Sequence, residues 1–374
     1  MSRFEVTSAF LEASPVALVM PPPSPSSSSV LVSVANVAGV EDIFQMYELR
    51  TGIGSTPSLR RLPLALPPLP IHPTGLCHPS RSQAVLAGED GSLILLSVSL
   101  SRDDSPSSVR ATSLSKLPSP IGPMAANRHN GRVAVPAGDM SLSLFSPAMQ
   151  IQHRIPAVSG SPISATEWIG VAMVAVGSLA GTLRVFDAAN TVATGIRECV
   201  YECHFPESVL SLCVLDAKTD DTPGDLLVGL CDGSIHLVDT QAQAQESRCI
   251  FSPSQPGCVT GSDAPLQAGG ISSLCVLNGS VVASTLNGRV LSIPLSPVYT
   301  APMADMAESN PDTPMCLSLV GTVASAPPPS GCVSLASSPC AFLTGVAQVQ
   351  PFNGYGAVYM AAGPDMRAVI VCSQ

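Results

Sequence analysis

Soft metal ligands are densest in the segment Cys199–His204, which holds two cysteines, a glutamate and a histidine within six residues. A structural zinc site needs four such ligands, which usually come as two close pairs along the chain. Cys213 and Cys231 follow in the sequence, but neither belongs to a second pair with metal-binding spacing. We therefore interpret the segment as a loop and strand crossing and expect no metal there.

Nucleophilic catalysis requires a serine or cysteine that is activated by a neighbouring base. The segment Gly177–Gly181 only approaches a Gly-x-Ser-x-Gly elbow, and its strand–turn–strand context is wrong for that motif. His236 lies in the middle of a predicted strand, where a half-exposed structural role is the better interpretation. No phosphate-binding loop is present, since Gly52-Ile53-Gly54 has nothing further to cradle a phosphate. The sequence therefore predicts neither an enzyme nor a cofactor.

Four aspartates, Asp90, Asp139, Asp232 and Asp365, recur at one position of a repeated pattern. Paired carboxylates are the usual agents of acid–base catalysis. Here each aspartate opens a predicted turn, and aspartate tolerates turn geometry because its side chain hydrogen-bonds its own backbone. We therefore assign these carboxylates to turns rather than to an active site.

The same pattern places a bulky apolar residue six positions after the first member of each of seven turn pairs. Asp-Gly and Asn-Gly pairs between apolar runs are strong hairpin signals, which predicts hairpins near residues 30–49, 84–97, 132–146, 172–188, 225–240, 280–294 and 355–372. The turn pairs are Glu41-Asp42, Asp90-Gly91, Asp139-Met140, Ala180-Gly181, Asp232-Gly233, Asn287-Gly288 and Asp365-Met366. The apolar repeat residues are Tyr47, Leu96, Phe145, Phe186, Val238, Ile293 and Val371.

Seven such repeats predict an all-β fold in which residues 1–374 form a single seven-bladed β-propeller. The turns recur at intervals of 49, 49, 41, 52, 55 and 78 residues, against about 40–45 for a blade of four strands. Pro- or Ser-rich inserts account for the excess, and we expect surface loops or disordered arms there. These inserts span residues 21–29, 62–73, 102–120 and 299–330.

The last repeat lacks a fourth strand of its own, because only three residues follow Val371. The segment Arg3–Phe10 is a spare strand that precedes the first strand of the first blade, at about Val16–Met20. Pairing the spare strand with the last blade would close the ring and cover its open edge. We therefore expect an N-terminal strand to complete the seventh blade.

Composition excludes further classes of partner. The formal net charge is −10, and no basic run is longer than Arg60-Arg61, which argues against direct nucleic-acid binding. No apolar run reaches the length of a bilayer span, and Glu5 and Glu12 interrupt any signal-peptide layout. We expect no membrane insertion and an intracellular protein whose cysteines are mostly reduced core residues.

The hairpin Gly177–Asp187 resembles the signature of the WD40-repeat family, with Phe186-Asp187 in place of its Trp-Asp pair. Val238-Asp239 fills the same place one repeat later. No repeat has the Trp-Asp pair itself or the family's Gly-His pair, so the hydrogen-bonded network that those residues form is not expected in its usual form. The resemblance implies a propeller that binds other proteins.

The order of motifs is most similar to that of the small WD-repeat nucleoporin of the nuclear pore's outer-ring Y complex. Three places carry the similarity: the path from Phe4 through a Pro/Ser stretch to Leu49, the spacing of the third and fourth blades, and the last blade, Ala357–Val371. The resemblance implies a structural subunit at the nuclear pore and nuclear envelope that acts in nucleocytoplasmic transport and pore assembly. It also implies attachment to the α-solenoid nucleoporin of that complex.

Two alternatives remain open at this point. The first concerns function: the alternative to a nucleoporin is a WD40 adaptor of another assembly, such as a trafficking, dynein or ubiquitin-ligase complex, with a cytoplasmic location. Trp168, the single tryptophan, either anchors a protein partner, as exposed tryptophans often do, or packs between blades.

Overall fold

Every regular element in the described part of the chain is a β-strand. The computed structural model describes residues 4–23, 30–37, 42–52, 55–100, 106–156, 158–188, 199–215, 225–240, 247–253, 269–277, 279–295, 333–337, 344–348 and 357–373. Within these ranges no helix has the length and apolar character that a bilayer crossing requires. Frequent proline (36 residues) and glycine (29 residues) favour this outcome, because both interrupt helices and mark turns.

The strands form seven four-stranded antiparallel sheets, the blades, and six of them use four strands that are consecutive in the chain. The first strand of each blade contacts the first strand of the next blade all the way round, so these first strands surround a central axis. Blade 1 contains β2 (Pro15–Val19), β3 (Val30–Asn36), β4 (Phe44–Gly52) and β5 (Ser55–Arg61). Blade 2 contains β6 (Pro73–Ser80), β7 (Gln83–Gly88), β8 (Ser92–Leu100) and β9 (Pro106–Lys116). Blade 3 contains β10 (Ala125–Ala126), β11 (Val133–Pro136), β12 (Leu142–Phe145) and β13 (Ile151–Ile155).

The remaining blades repeat this order from the axis outwards. Blade 4 contains β14 (Ile163–Ile169), β15 (Met173–Ser178), β16 (Thr182–Asp187) and β17 (Cys199–His204). Blade 5 contains β18 (Val209–Val214), β19 (Leu226–Leu230), β20 (Ile235–Val238) and β21 (Ser247–Phe251). Blade 6 contains β22 (Ile271–Leu277), β23 (Ser280–Thr285), β24 (Arg289–Pro294) and β25 (Val333–Ser337). Blade 7 contains β26 (Thr344–Gln348), β27 (Ala357–Ala362), β28 (Arg367–Ser373) and the N-terminal strand β1 (Phe4–Phe10). The predicted all-β, seven-bladed propeller is confirmed.

The N-terminal strand closes the ring, as predicted. β1 pairs antiparallel with β28 over its whole length, from Phe4 opposite Ser373 to Phe10 opposite Arg367. The sheet order is β1-β28-β27-β26, so β1 is the outermost strand of blade 7. Because β2 then begins blade 1, the first and last blades are joined by both a backbone ladder and a covalent connection.

One of the predicted inserts contains a strand. The Ser-rich stretch 102–120 was expected to be a loop, and this is wrong for Pro106–Lys116, which forms β9. Val109 is buried and Ala111 packs against the same core, whereas Arg110 between them is exposed. A few apolar residues in alternation are enough to hold an outer strand.

The Pro-rich insert 62–73 is a packed connection rather than a disordered arm. Leu62 and Ile71 are buried, and Leu64, Leu66 and Leu69 pack against the same core between blades 1 and 2. Proline cannot donate to a ladder, so this segment covers the blades without joining a sheet over most of its length. The insert 299–330 and residues 24–29 lie outside the described residues.

The turns between the second and third strands share one backbone conformation. Gly91, Gly181 and Gly233 have φ angles of 86°, 78° and 87°, and Met140 and Met366 take φ of 61° at the same position. A Cβ added at Gly181 would lie 2.4 Å from the carbonyl oxygen of Phe205. Both the positive φ and the close approach of the next connection therefore require glycine at this turn.

We predict that Gly181→Ala lowers the free energy of unfolding by about 2 kcal/mol, because it adds a backbone clash to a strained φ. Met366→Gly tests the same turn position with the opposite change. It relieves the strain of a side chain at positive φ and raises the entropy of the unfolded chain, so we expect it to stay within about 0.5 kcal/mol of the wild type. Urea unfolding curves measure both values, and equal losses in the two variants would contradict this account.

Candidate functional site

The apolar residues form seven cores, one between each pair of neighbouring blades. Each core contains one of the seven repeat residues, and each of these residues is at most 4% exposed. From the core between blades 7 and 1 round the ring to the core between blades 6 and 7, these residues are Tyr47, Leu96, Phe145, Phe186, Val238, Ile293 and Val371. The repeat residues therefore hold blade against blade, and they present no surface to a partner.

Trp168 belongs to the core between blades 3 and 4. It is 5% exposed, its Nε1 donates a hydrogen bond to the carbonyl oxygen of Ala125 at 3.1 Å, and the Arg132 guanidinium lies 5.3 Å above its ring. Trp168 therefore packs between blades 3 and 4, which is one of the two alternatives for it. The local pattern located its strand but not the blade that covers it.

Polar contacts between blades take the place of the Trp-Asp network. Between blades 5 and 6, Ser211 Oγ donates to the carbonyl oxygen of Ile271 at 2.8 Å. Between blades 6 and 7, the Tyr359 hydroxyl lies 2.5 Å from Ser273 Oγ, and burial raises the pKa of Tyr359. The residues that make these contacts differ from one blade interface to the next, so no single sequence motif predicts them.

His78 makes the corresponding contact between blades 1 and 2. Its Nδ1 lies 3.3 Å from the carbonyl oxygen of Ser80, and its Nε2 lies 2.8 Å from Ser33 Oγ. Because a carbonyl can only accept, Nδ1 carries the proton and Nε2 accepts from Ser33. Burial lowers the pKa of His78 to about 4, so the ring is neutral at physiological pH.

The predicted soft-ligand segment forms β17, the outer strand of blade 4. Tyr201 and Cys203 point into the core between blades 4 and 5, whereas Glu202 lies on the opposite face, 3.1 Å from both Arg184 and His204. The pleat therefore divides the potential ligands between two faces. Among the described residues no three His, Cys, Asp or Glu side chains are arranged to hold a metal ion.

The recurrent aspartates serve their turns. In Asp90, Asp139 and Asp232 one carboxylate oxygen accepts hydrogen bonds from both the backbone N–H and the hydroxyl of the serine two residues later, with the hydroxyl at 2.6 Å in each case. Asp365 accepts from the backbone N–H of Arg367, at 3.3 Å. The hydrogen bond from Ser141 lowers the pKa of Asp139, and Arg154 adds to this. These are the bonds of turn-forming carboxylates.

One register position on the inner strands brings together titratable groups from three blades. Glu167, Cys213 and Cys275 occupy equivalent places on β14, β18 and β22. Burial raises the pKa of Glu167, which also accepts a hydrogen bond from the backbone N–H of Trp168. Burial likewise raises the pKa of Cys275. A buried thiol with a raised pKa is a poor nucleophile, so this position lacks the activated pair that covalent catalysis needs.

The turns offer a different kind of site. Each turn begins with an exposed residue, and in all blades except the seventh its backbone N–H donates to the connection that enters the blade, at 2.8–3.0 Å. Because every blade runs in the same direction, these residues surround one rim of the ring. We call this set the turn-tip ring; it consists of Val37, Glu89, Gly138, Leu179, Cys231, Leu286 and Pro364.

The turn-tip ring is rich in apolar side chains although turns usually carry polar ones. Val37, Leu179 and Leu286 are 45%, 48% and 40% exposed. Two further exposed apolar residues, Phe10 and Met366, flank the closure of the ring on the same rim, where the backbone N–H of Leu11 donates to the carbonyl oxygen of Met366. Five of the eight large apolar side chains identified as exposed thus lie on one rim.

Sequence reasoning missed the turn-tip ring because it read each turn pair and not the residue before it. The available signal was a leucine directly in front of a turn pair, as in Leu179 before Ala180-Gly181 and Leu286 before Asn287-Gly288. A leucine is unusual at such a place, because turns mostly carry Gly, Pro, Asn, Asp and Ser.

Comparison with known structures agrees with the fold. Two crystal structures of Sqt1 from Chaetomium thermophilum match 94% of this chain and 80% of the Sqt1 chain, with TM-scores of 0.58 and 0.57 at 17% and 16% sequence identity. In all, 1385 chains of known structure match, so the likeness in fold does not single out one function. No protein-family model and no curated protein matches the sequence.

We predict that the free energy of unfolding falls by about 3 kcal/mol between pH 6.5 and pH 4 through His78. The pKa of this group is about 4 in the folded protein against 6.5 when unfolded. Protons therefore bind the unfolded chain first, and the contribution of the neutral ring is complete above pH 6.5 and lost as the pH falls. Urea unfolding at a series of pH values measures this slope. It should be shallower in His78→Gln and unchanged in the control His72→Gln, at an exposed histidine; equal slopes in all three proteins would contradict the assignment.

Proposed function

We propose that this protein is a non-catalytic scaffold that binds other proteins through the turn-tip ring. The observation that carries the proposal is that five of the eight exposed large apolar side chains lie on one rim of a closed ring. Apolar surface that is gathered on one side of a protein and rimmed by polar residues is a feature of protein-binding surfaces. In six of the seven blades a backbone hydrogen bond fixes the turn to the connection that enters the blade. This makes the rim rigid, which lowers the entropy lost on binding.

Catalysis is less well supported by the described residues. The turn aspartates are engaged by serine hydroxyls and backbone N–H groups, His78 bridges two blades, and the buried thiol of Cys275 has a raised pKa. An active site would instead need a nucleophile or base held open towards a cleft. These polar and titratable groups stabilise the turns and the contacts between blades, so we place the function on the surface of the ring.

We predict that the variant Val37→Ser, Leu179→Ser, Leu286→Ser loses most of the partners that the wild-type protein binds. All three side chains are exposed, so the melting temperature should change little. The control is Ile151→Ser, Val200→Ser, which removes equally exposed apolar side chains, 49% and 52% exposed, from the outer strands. Affinity purification with quantitative mass spectrometry measures the partners, and an unchanged set in the rim variant would refute the assignment of the surface.

For the assembly itself we propose the outer ring of the nuclear pore, with the α-solenoid nucleoporin of its Y complex as the direct partner. The support is the order of motifs along the chain, from Phe4 through Leu49 to the last blade. On this proposal the protein acts in nucleocytoplasmic transport and pore assembly.

Imaging of a fluorescently tagged copy tests this proposal for the assembly. We expect a punctate nuclear rim and co-purification of outer-ring nucleoporins. A diffuse or vesicular pattern, with coat, dynein or ubiquitin-ligase subunits in the purified complex, would refute the pore and favour an adaptor in the cytoplasm.

A further inference from the structure

The turn-tip ring has a distinct apolar patch where blades 4, 5 and 6 meet. Leu210 is the bulged residue of β18, which displaces it from the regular ladder. A Cβ built on Gly270 would lie 2.6 Å from Cδ1 of Leu210 and 3.2 Å from Cδ1 of Leu286, so these two leucines flank the glycine from neighbouring blades. Together with Leu179 they form what we call the leucine patch (Leu179, Leu210 and Leu286).

The backbone under the leucine patch is fixed by one serine. Ser208 Oγ donates to the carbonyl oxygen of Leu179 at 2.5 Å, and the carbonyl oxygen of Ser208 accepts from the backbone N–H of Cys231 at 3.0 Å. The backbone N–H of Leu286 donates to the carbonyl oxygen of Gly270 at 2.8 Å. The three blades thus present their leucines from a hydrogen-bonded base, as a preformed surface.

Two exposed carboxylates border the leucine patch. Glu207 precedes Ser208, and Asp232 follows Cys231. Asp232 uses one oxygen to accept the bonds from Ser234. In the part of the chain that the structure describes, neither carboxylate forms an ion pair with Lys, Arg or His.

Four other carboxylates on this rim differ, because a basic residue neutralises each of them. Asp90 pairs with Lys116 at 2.9 Å, and Asp139 pairs with Arg154. Glu12 and Asp42 share Arg61. Glu207 and Asp232 thus leave two negative charges without a counter-charge beside the leucine patch, where they would repel phosphates and attract ammonium or guanidinium groups.

We propose that the leucine patch, with Glu207 and Asp232, binds an extended polypeptide segment in which leucine-sized apolar residues alternate with lysine or arginine. The apolar side chains of the segment pack on Leu210 and Leu286, which meet over Gly270, and its basic side chains reach the two carboxylates. This inference rests on the proposed scaffold function and adds the chemistry of the partner.

Fluorescence anisotropy with labelled ten-residue peptides tests the proposal. The probes are a peptide of alternating Leu and Lys, one of alternating Leu and Glu, and one of alternating Ser and Lys. We expect the full-length protein to bind the Leu/Lys peptide, and the affinity for each of the other two to be roughly tenfold lower or less. Equal binding of the Ser/Lys peptide would overturn the proposal, because it would show attraction by charge alone.

Paired variants locate the binding. Glu207→Gln with Asp232→Asn keeps the turn acceptor for Ser234 and should weaken Leu/Lys binding roughly tenfold and flatten its salt dependence. Glu89→Gln with Asp139→Asn is the matched control on blades 2 and 3, and it should change the affinity less than about twofold. An equal effect of the two pairs would overturn the assignment to blades 4 to 6.

The outcome is separable from that of the scaffold proposal. If the rim variant Val37→Ser, Leu179→Ser, Leu286→Ser loses its partners while no peptide discriminates, the scaffold function stands and the basic, apolar partner is refuted. If the rim variant keeps its partners and the peptides also fail to bind, both proposals are refuted.

Discussion

The structure depends on the packing of each blade against its two neighbours. Every core is shared between two blades, so a blade on its own would leave both faces in water, and the ladder between β1 and β28 is what allows the seventh core to form. Ala9 packs against the core between blades 7 and 1, and Phe4 packs against the core between blades 6 and 7. β1 therefore lies at two of the seven cores, and the stability of the whole ring is tied to this one strand.

This constraint determines which residues are free to have a function. Residues on the faces of the sheets are committed to cores, and the turn aspartates are committed to their own backbone. The rim stays accessible, and there the residue before the turn is exposed and, in six of the seven blades, has a backbone fixed by a hydrogen bond. The same position thus carries a leucine in blades 4 and 6, a glutamate in blade 2 and a glycine in blade 3. Binding specificity can vary there without any cost to the packing of the blades.

The sequence predicted the elements that depend on local patterns. Turn pairs and alternation located the hairpins, and the spare N-terminal strand indicated how the ring closes. The environment of a side chain depends on the neighbouring blade, which local pattern does not contain. Trp168 is covered by Ala125 and Arg132 from blade 3, and Leu64 and Leu66 find a core between blades 1 and 2. Likewise the leucine patch joins residues from three blades, so only the assembled ring reveals it.

The closing strand also imposes an order on synthesis. β1 leaves the ribosome before its partner β28, which lies more than three hundred residues further along the chain, as the pairing of Phe4 with Ser373 shows. Throughout elongation β1 presents an unpaired edge with Val6 and Phe10 on it, and contacts of such sequence separation form slowly. Until β28 pairs with β1 the ring is therefore open, and its unpaired strand edges can pair with other chains.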